Sequence, residues 1–592
     1  MMKKNDKSSF TGLILMAAIL IIFNVFVFNN AEEIPENTNP ETEQMSVSID
    51  ETTTTLSNVT EQTIDSSQIL VEQEYILEND KIKLIFTNKG GEIKSAIVKG
   101  FYTYDEYRKK LDDNTHNIKD VEIFNNKNSN FTITADRGIS TNEFFAVSEN
   151  NNSITFRKDY ENNAFIEYTY TLEENTNFAD FTINSGGISN PELVWTIATP
   201  QTEKSKDNQK EYTGFYYQDS YSKDVDYSWD NEEFEINEFK AELSWIAFKQ
   251  QFFSTIITAK NNNFNEETKF KISVNENDEY IKTLSLRTEL EDGENNYTIY
   301  FGDNDYNKLK SYNTELENII PLGWGMFGWV NRVIIINIFD YLKNTAGITN
   351  FGLIILLLTL IIKLSLSPLT YKSYLSQAKM KVLKPEIDKI TEKHKEKDPM
   401  KSQKETMSLY RKAGVNPMGG CLPMLVQFPI LIAMFRFFPA SMDLRQSSFL
   451  WADDLSAFDS IYDLGFNIPM YGDHISLFTL LMTVSTLIYT HMNSQMTSNQ
   501  MPGMKWMMYL MPIMFLGFFN NYAAALSYYY FLANVFTFSQ MYFMRRFVDD
   551  DTLLAQIEVN KKKPAKKKSK FQKKLEEMQQ NQEKNLKKTK KK

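Results

Sequence analysis

The chain has 592 residues, 42% of them hydrophobic, and a formal net charge of −12. Its single cysteine, Cys421, excludes an intramolecular disulfide framework. Four scattered histidines (His116, His394, His474 and His491) lack metal-ligand spacing and no glycine-rich phosphate loop is present, so neither catalysis nor nucleotide-driven work has a footing, and no cofactor is expected.

The N-terminus, MMKKNDK, is basic and runs into TGLILMAAILIIFNVFVF. That run is longer than a usual signal core, and its flank FNNAEE is a poor cleavage site. Residues 1–30 therefore read as an uncleaved membrane anchor. Residues 31–70 are rich in Glu, Thr, Ser and Asn, have little to bury, and read as a disordered linker.

From 71 to 318 the pattern is β. KIKLIFTN and EIKSAIV alternate around Gly90-Gly91, and NFTITAD, SITFRKD, AFIEYTYTL and DFTIN follow with polar breaks. Many short strands with turns between them predict a large β-sandwich. WIAFKQQFFSTIITAK (245–260) reads as an inner strand region with its aromatics in the core. The domain reads as a scaffold in preference to a sugar-binding cleft.

Five apolar stretches come next, at about 351–371, 421–439, 475–491, 506–520 and 525–544. GWGMFGWVNRVIIINIFDYL (323–342) is a sixth candidate, and charge decides its placement. The loop 372–412 holds about a dozen Lys and Arg. The loop 441–474 holds Arg445 against Asp443, Asp453, Asp454, Asp459, Asp463 and Asp473. Arg545, Arg546 and a lysine-rich tail (549–592) follow the last stretch. The positive-inside rule puts 1–10, 372–412 and 545–592 in the cytosol and 441–474 outside. This alternation requires 323–342 to lie in the outer interface as an aromatic-rich helix. The expectation is a polytopic α-helical membrane protein of six spans, both ends cytosolic, with the β domain on the periplasmic side of a bacterial inner membrane.

Lys363 stands inside LIILLLTLIIKLSLSPLT (353–370). A charge at the centre of a spanning helix costs about 2.5–3.5 kcal/mol on the lenient scale. The side chain is too short to snorkel comfortably to the cytosolic surface, and the apolar parts of the other spans contain no Asp or Glu to pair with it. A wet cavity open to the cytosol is the reading that remains. Thr359 lies one turn earlier on the same face. Gln427, then Thr479, Thr483 and Thr486, then Ser527, Tyr530 and Asn534 add polar groups on other spans. The insert 372–412 reads as a mobile helical hairpin: Met380, Leu383, Ile387 and Ile390 recur at helical spacing, but two helices of this size cannot bury a core.

KSYLSQAKMKVLKPEI, LYRKAGVNPMGGCLPMLVQFPI and DLRQSSFLWADDLSAFD, in this order, closely resemble the YidC/Oxa family of membrane-protein insertases over about 320–548. WIAFKQQFF and YFGDNDYNKL extend the resemblance to the Gram-negative form with a large periplasmic domain. The resemblance implies a five-helix core around a hydrophilic groove, open to cytosol and lipid and closed to the outside, with one basic residue in the first core helix. Lys363 falls at that position, where the family usually has arginine. Thr359, Tyr530 and its neighbour Tyr529 match positions that touch the incoming chain, and Gln427 matches a groove polar residue. The implied activity is insertion and chaperoning of nascent membrane proteins, alone or with the Sec translocon, without bond chemistry and with no role for DNA. The lysine tail suits ribosomal RNA or anionic lipid, or serves only to solubilise. The rival class is a secondary solute transporter using Lys363 as a substrate or coupling site; no inverted repeat or intramembrane acid favours it.

Overall fold

The computed structural model describes residues 71–562 apart from 113–116, 126, 136–138, 229–231, 275–279, 395–398, 417–418, 420–421 and 495–501. The anchor at 1–30, the linker at 31–70, Cys421 and the tail beyond 562 lie outside the described residues. The chain divides into a large unit, Gln73–Asn499 with Met508–Lys592, and a small one, Met1–Glu72 with Gln500–Met507; the large unit carries the fold.

Alternation builds the first half. In Phe165–Leu172 every second residue (Ile166, Tyr168, Tyr170, Leu172) is buried, as the two-residue period of a strand requires. Such strands form sheets of nine, six and four strands. Gly293–Asp303 runs through the middle of the nine-stranded sheet, with Ile299 opposite Ile257 on one side and Tyr297 opposite Phe181 on the other. The two larger sheets meet through aromatic rings. Phe131 lies 5.7 Å from Phe181, Trp195 lies 5.4 Å from Phe248, and Phe215 stacks on Phe270 at 4.3 Å. WIAFKQQFFSTIITAK supplies two strands, Leu243–Lys249 and Phe253–Ala259, folded back on each other with Trp245, Phe248, Phe252 and Phe253 buried. The turn after Ile82–Thr87 uses Gly90 and Gly91 at φ 81° and 62°, where a side chain on Gly91 would meet the Tyr168 ring at 2.8 Å.

Three short helices decorate this domain: α1 (Tyr104–Asp112), α2 (Lys206–Tyr212) and α3 (Tyr306–Ser311). Ser205 caps the start of α2. The buried ammonium groups of Lys249 and Lys282 donate to the Tyr212 and Thr213 carbonyls at its end, at 2.9 and 2.8 Å, where a helix favours cations.

The helical half opens with α4, a run of α and π turns through Gly325–Val330, Asn331–Ile335, Ile336–Asp340 and Tyr341–Thr345. Then come α5 (Phe351–Val382), α6 (Lys384–His394), α7 (Pro399–Lys412), α8 (Leu422–Ala440), α9 (Leu477–Ser494), α10 (Pro502–Asn520), α11 (Ala524–Phe547) and α12 (Asp550–Lys562). By length and composition α5 can cross a membrane, and Leu425–Ala440, Leu477–Met492 and Met508–Asn520 are shorter apolar helices. Asn331 pins α4 to α8 by donating to the carbonyls of Leu322 and Ala433 at 2.7 and 2.9 Å.

Two expectations about the 372–412 insert are corrected. It does not start as a separate element, because α5 continues unbroken through Pro368 to Val382. Nor is it coreless: Leu383, Ile387, Ala413 and Val415 are buried together with Ile557. The missing apolar face comes from α12, the beginning of the basic tail, which also reaches back through Lys561 to Glu386 at 2.6 Å.

The acidic segment after α8 joins the two halves. Asp443 pairs with Lys343, and Asp453 pairs with Arg108 of α1 at 2.5 Å. Asp459 accepts from Trp451 Nε1 at 2.8 Å and from the backbone amides of Leu477 and Phe478 at 2.9 and 3.1 Å, capping α9. Arg445 Nε donates to both Glu203 oxygens at 3.0 and 2.9 Å, and its Nη2 donates to the Tyr102 carbonyl at 2.5 Å. Both side chains of this pair are almost fully buried, at 2% and 4% exposure. Burial holds the Glu203 carboxyl above its usual range even against the neighbouring guanidinium. Removing one member of such a pair costs about 3–5 kcal/mol, while replacing both by apolar groups costs far less. Arg445→Ala is therefore expected to lower the thermal midpoint of the detergent-purified protein sharply, and Arg445→Met with Glu203→Leu to recover most of the loss. An unchanged midpoint in the alanine variant would show that the pair is not what ties the halves together.

Candidate functional site

Lys363 lies about 18 Å along α5 from Phe351, at 1.5 Å per residue. The apolar residues around it make α5 helical and bury it; Ile354, Ile355, Leu358 and Ile362 face inward with it. Lys363 itself is only 7% exposed. Its ammonium donates to Gln427 Oε1 of α8 at 3.1 Å and to Thr537 Oγ1 of α11 at 3.0 Å. Among the described residues no carboxylate pairs with it. The ammonium is thus held by neutral oxygens of two neighbouring helices.

The same three helices are laced together around this point. Gln540 Nε2 of α11 donates to the Lys363 carbonyl at 3.0 Å and to Ser367 Oγ at 2.8 Å. Thr537 in turn donates to the Ala533 carbonyl at 2.7 Å, which orients its oxygen toward the ammonium. One turn along, Asn534 Nδ2 donates to Ser485 Oγ and Thr486 Oγ1 of α9, both at 3.0 Å. A continuous polar seam therefore runs through otherwise apolar helices.

Of the residues singled out from sequence, Lys363 and Gln427 are in direct contact. Thr359 is not part of that contact: it is fully buried, and its hydroxyl donates to Ile355 O of its own helix at 2.7 Å. Tyr529 is also fully buried, with its ring 6.0 Å from Phe438 of α8 and no hydrogen-bond partner for its hydroxyl. Tyr530 beside it is partly buried. Thr537 and Gln540 went unnoticed in the sequence. The signal was there, since Thr537 is the next step in the face that Tyr530 and Asn534 define, and Gln540 the step after.

Chemically this arrangement can attract and hold an anionic group. It pairs no nucleophile with a base, and among the described residues no group of His, Cys, Asp or Glu could hold a metal ion.

A β-rich domain stapled to a bundle of apolar helices, one of them long enough to cross a membrane, fits the class of membrane proteins with a large extramembranous domain. Residues 341–551 match the family model described as 60Kd inner membrane protein, and residues 75–336 match the YidC periplasmic domain. A membrane protein insertase YidC from Parabacteroides distasonis is 38% identical, the match covering 83% of this chain and 80% of that protein. The corresponding proteins of Bacteroides fragilis (35% identical, 95% of each chain) and Amoebophilus asiaticus (34%, 95% and 96%) match over nearly their whole length. The chain belongs to the YidC family of membrane protein insertases. It is an inner-membrane insertase with a β-rich periplasmic domain and a helical C-terminal region.

The ammonium depends on its two acceptors. Gln427→Leu with Thr537→Val strips both, and an unsolvated buried ion costs several kcal/mol. The double variant is expected to lose thermal stability, and adding Lys363→Met is expected to restore it. If the double variant melts like the parent, the two oxygens do not carry the charge.

Proposed function

We propose that insertion proceeds along a hydrophilic path centred on Lys363. Gln427 and Tyr530 line it, Thr537 and Gln540 belong to it, and Thr359 and Tyr529 join it once the helices part around a client. The observation that carries this reading is that Lys363 rests on two neutral oxygens from different helices and, among the described residues, on no carboxylate. Its charge is held in place but not cancelled. An acidic residue on the polar flank of a nascent chain can displace one neutral acceptor and gain a charge-assisted bond about twice as strong as a neutral one. The apolar part of the client meanwhile passes along greasy helix surfaces into lipid, which drives the process. No bond is made or broken and no nucleotide is consumed.

The topology we propose has six spans: the N-terminal anchor, α5, α8, α9, α10 and α11. Both termini lie in the cytosol. Arg545 and Arg546 at the end of α11 and the lysines of α6 and α7 support this orientation. The exposed Met326, Trp329 and Val333 of α4 suit a helix lying in the outer interface. In this reading α6, α7 and α12 recruit clients, the lysine-rich tail meets ribosomal RNA or anionic lipid, and the Sec translocon cooperates on clients with long translocated segments.

Cells depleted of the native protein and supplied with variants provide the test. Lys363→Arg is expected to support insertion, since the charge remains. Lys363→Ala is expected to reduce insertion at least several-fold for clients with acidic translocated flanks and less for clients with neutral ones. Equal activity of the alanine form toward both client classes would remove Lys363 from the mechanism. Crosslinking of a stalled nascent chain from positions 363 and 530 tests the path itself, and failure at both would relocate it.

A further inference from the structure

The segment between α8 and α9 contains a β-hairpin that the insertion path does not use. Its strands are Tyr462–Ile468 and Gly472–Ile475, with Met470 at the tip. The turn at Tyr471 and the returning strand are held firmly to the end of α10. Asn520 Nδ2 donates to the carbonyls of Tyr471 and His474 at 2.9 and 2.8 Å, Asn521 Nδ2 donates to the Tyr471 carbonyl at 2.9 Å, and the His474 ring is bonded to the Asn520 carbonyl at 2.9 Å. The rest of the hairpin is exposed although its residues are apolar. Tyr462, Phe466 and Met470 are 64%, 62% and 89% exposed, and Ile468 is 38% exposed. Apolar side chains on a strand ordinarily face a core; a cluster of this kind on a surface marks a place where something else covers it.

The direction of the hairpin says what that is. A Cβ on Gly517 would lie 2.7 Å from the Met470 carbonyl, so the tip presses against α10. Gly517 is three residues, about 4.5 Å, inside the end of that helix. The turn and the returning strand thus lie along the last turn of α10, on the side of the helix's interior. On α10 the neighbouring Ile513 and Met514 are themselves 52% and 48% exposed. Its two exposed acids stay near the root, Asp463 opposite His474 in register and Asp473 bonded to it.

We infer that this hairpin is a membrane-surface element whose apolar tip dips into the headgroup–acyl boundary of the outer leaflet beside α10. Aromatic and apolar residues with a polar root are the composition that this boundary selects. The bonds from Asn520 and Asn521 to Tyr471, beside Met470, fix the depth at which the tip enters. The inference rests on the proposed reading of α10 as a lipid-exposed span.

The test uses the full-length protein with Cys421→Ser, reconstituted into phosphatidylethanolamine–phosphatidylglycerol vesicles. Single cysteines replace Met470, Ile513 as a lipid reference, or Tyr221 as a water reference, the last being 94% exposed in the β domain. Each carries a polarity-sensitive fluorophore, read against lipids bearing a nitroxide at a shallow chain position and against aqueous iodide. The label at 470 is expected to be quenched by the lipid nitroxide several-fold more than that at 221, and to be several-fold less sensitive to iodide. Iodide sensitivity at 470 equal to that at 221, with 513 still quenched by lipid, would overturn the inference and leave the hairpin open to a protein partner. Absence of lipid quenching at 513 would instead overturn the reading of α10 on which it rests.

Discussion

An ammonium carried into an apolar helical layer has to be solvated by something, and that requirement organises the centre of this protein. Water, a carboxylate or neutral oxygens can each serve. Here Gln427 and Thr537 serve, one from α8 and one from α11. Because the acceptors belong to different helices, solvating Lys363 also fixes how α5, α8 and α11 approach one another. Gln540 completes the arrangement by bonding the carbonyl of the same lysine. The cost of the buried charge is offset by bonds that double as helix-to-helix ties.

Another buried cation, Arg445, is handled in the opposite way. Arg445 is matched by the Glu203 carboxylate and by the Tyr102 carbonyl, so its charge and its planar donors are both consumed. That arrangement suits a fixed joint. Around it, Lys204 Nζ donates to the Phe458 carbonyl at 2.9 Å, and Gln251 Nε2 donates to the Pro439 carbonyl at 3.0 Å. The amides of Ala524 and Ala525 at the start of α11 donate to the carbonyls of Ala457 and Leu455 at 2.7 and 3.0 Å. The β domain, the acidic segment and the adjoining helix ends are thereby sewn into one polar cap. A matched pair locks; an unmatched cation stays available.

Much of this was legible in the sequence because it follows from local periodicity. Strand alternation gave the β domain, apolar runs gave the apolar helices to within a few residues except at the end of α5, which runs eleven residues past the expected 371, and the scarcity of acids in those runs agrees with Lys363 having no carboxylate partner among the described residues. What the sequence hid are relations between distant segments. The tail helix α12 completes the core of the α6–α7 insert through Ile557, a contact spanning some 170 residues of chain. Glu203 and Arg445 are likewise far apart in sequence, and their types alone do not announce a buried pair. Thr537 and Gln540 are a subtler case. Their helical phase was readable, but Thr and Gln are ordinary residues in a membrane helix, and only the position of the lysine gives them a role.

These two treatments of charge lie at different levels of the helical layer, which gives the layer a direction. At the β-domain end, Asp459, Ser476, Thr479 and Ser527 bond one another, and Asn520 bonds the amide of Ser476. These polar groups satisfy each other within the protein. Further from that end the seam of Asn534, Thr537, Lys363 and Gln540 carries the Lys363 charge with only neutral partners among the described residues. The layer thus passes from side chains that bond one another at the β-domain end to a cation held by neutral oxygens further along. That order is the physical basis of the proposed path: a carboxylate would be a stronger partner for the ammonium than either of its present acceptors.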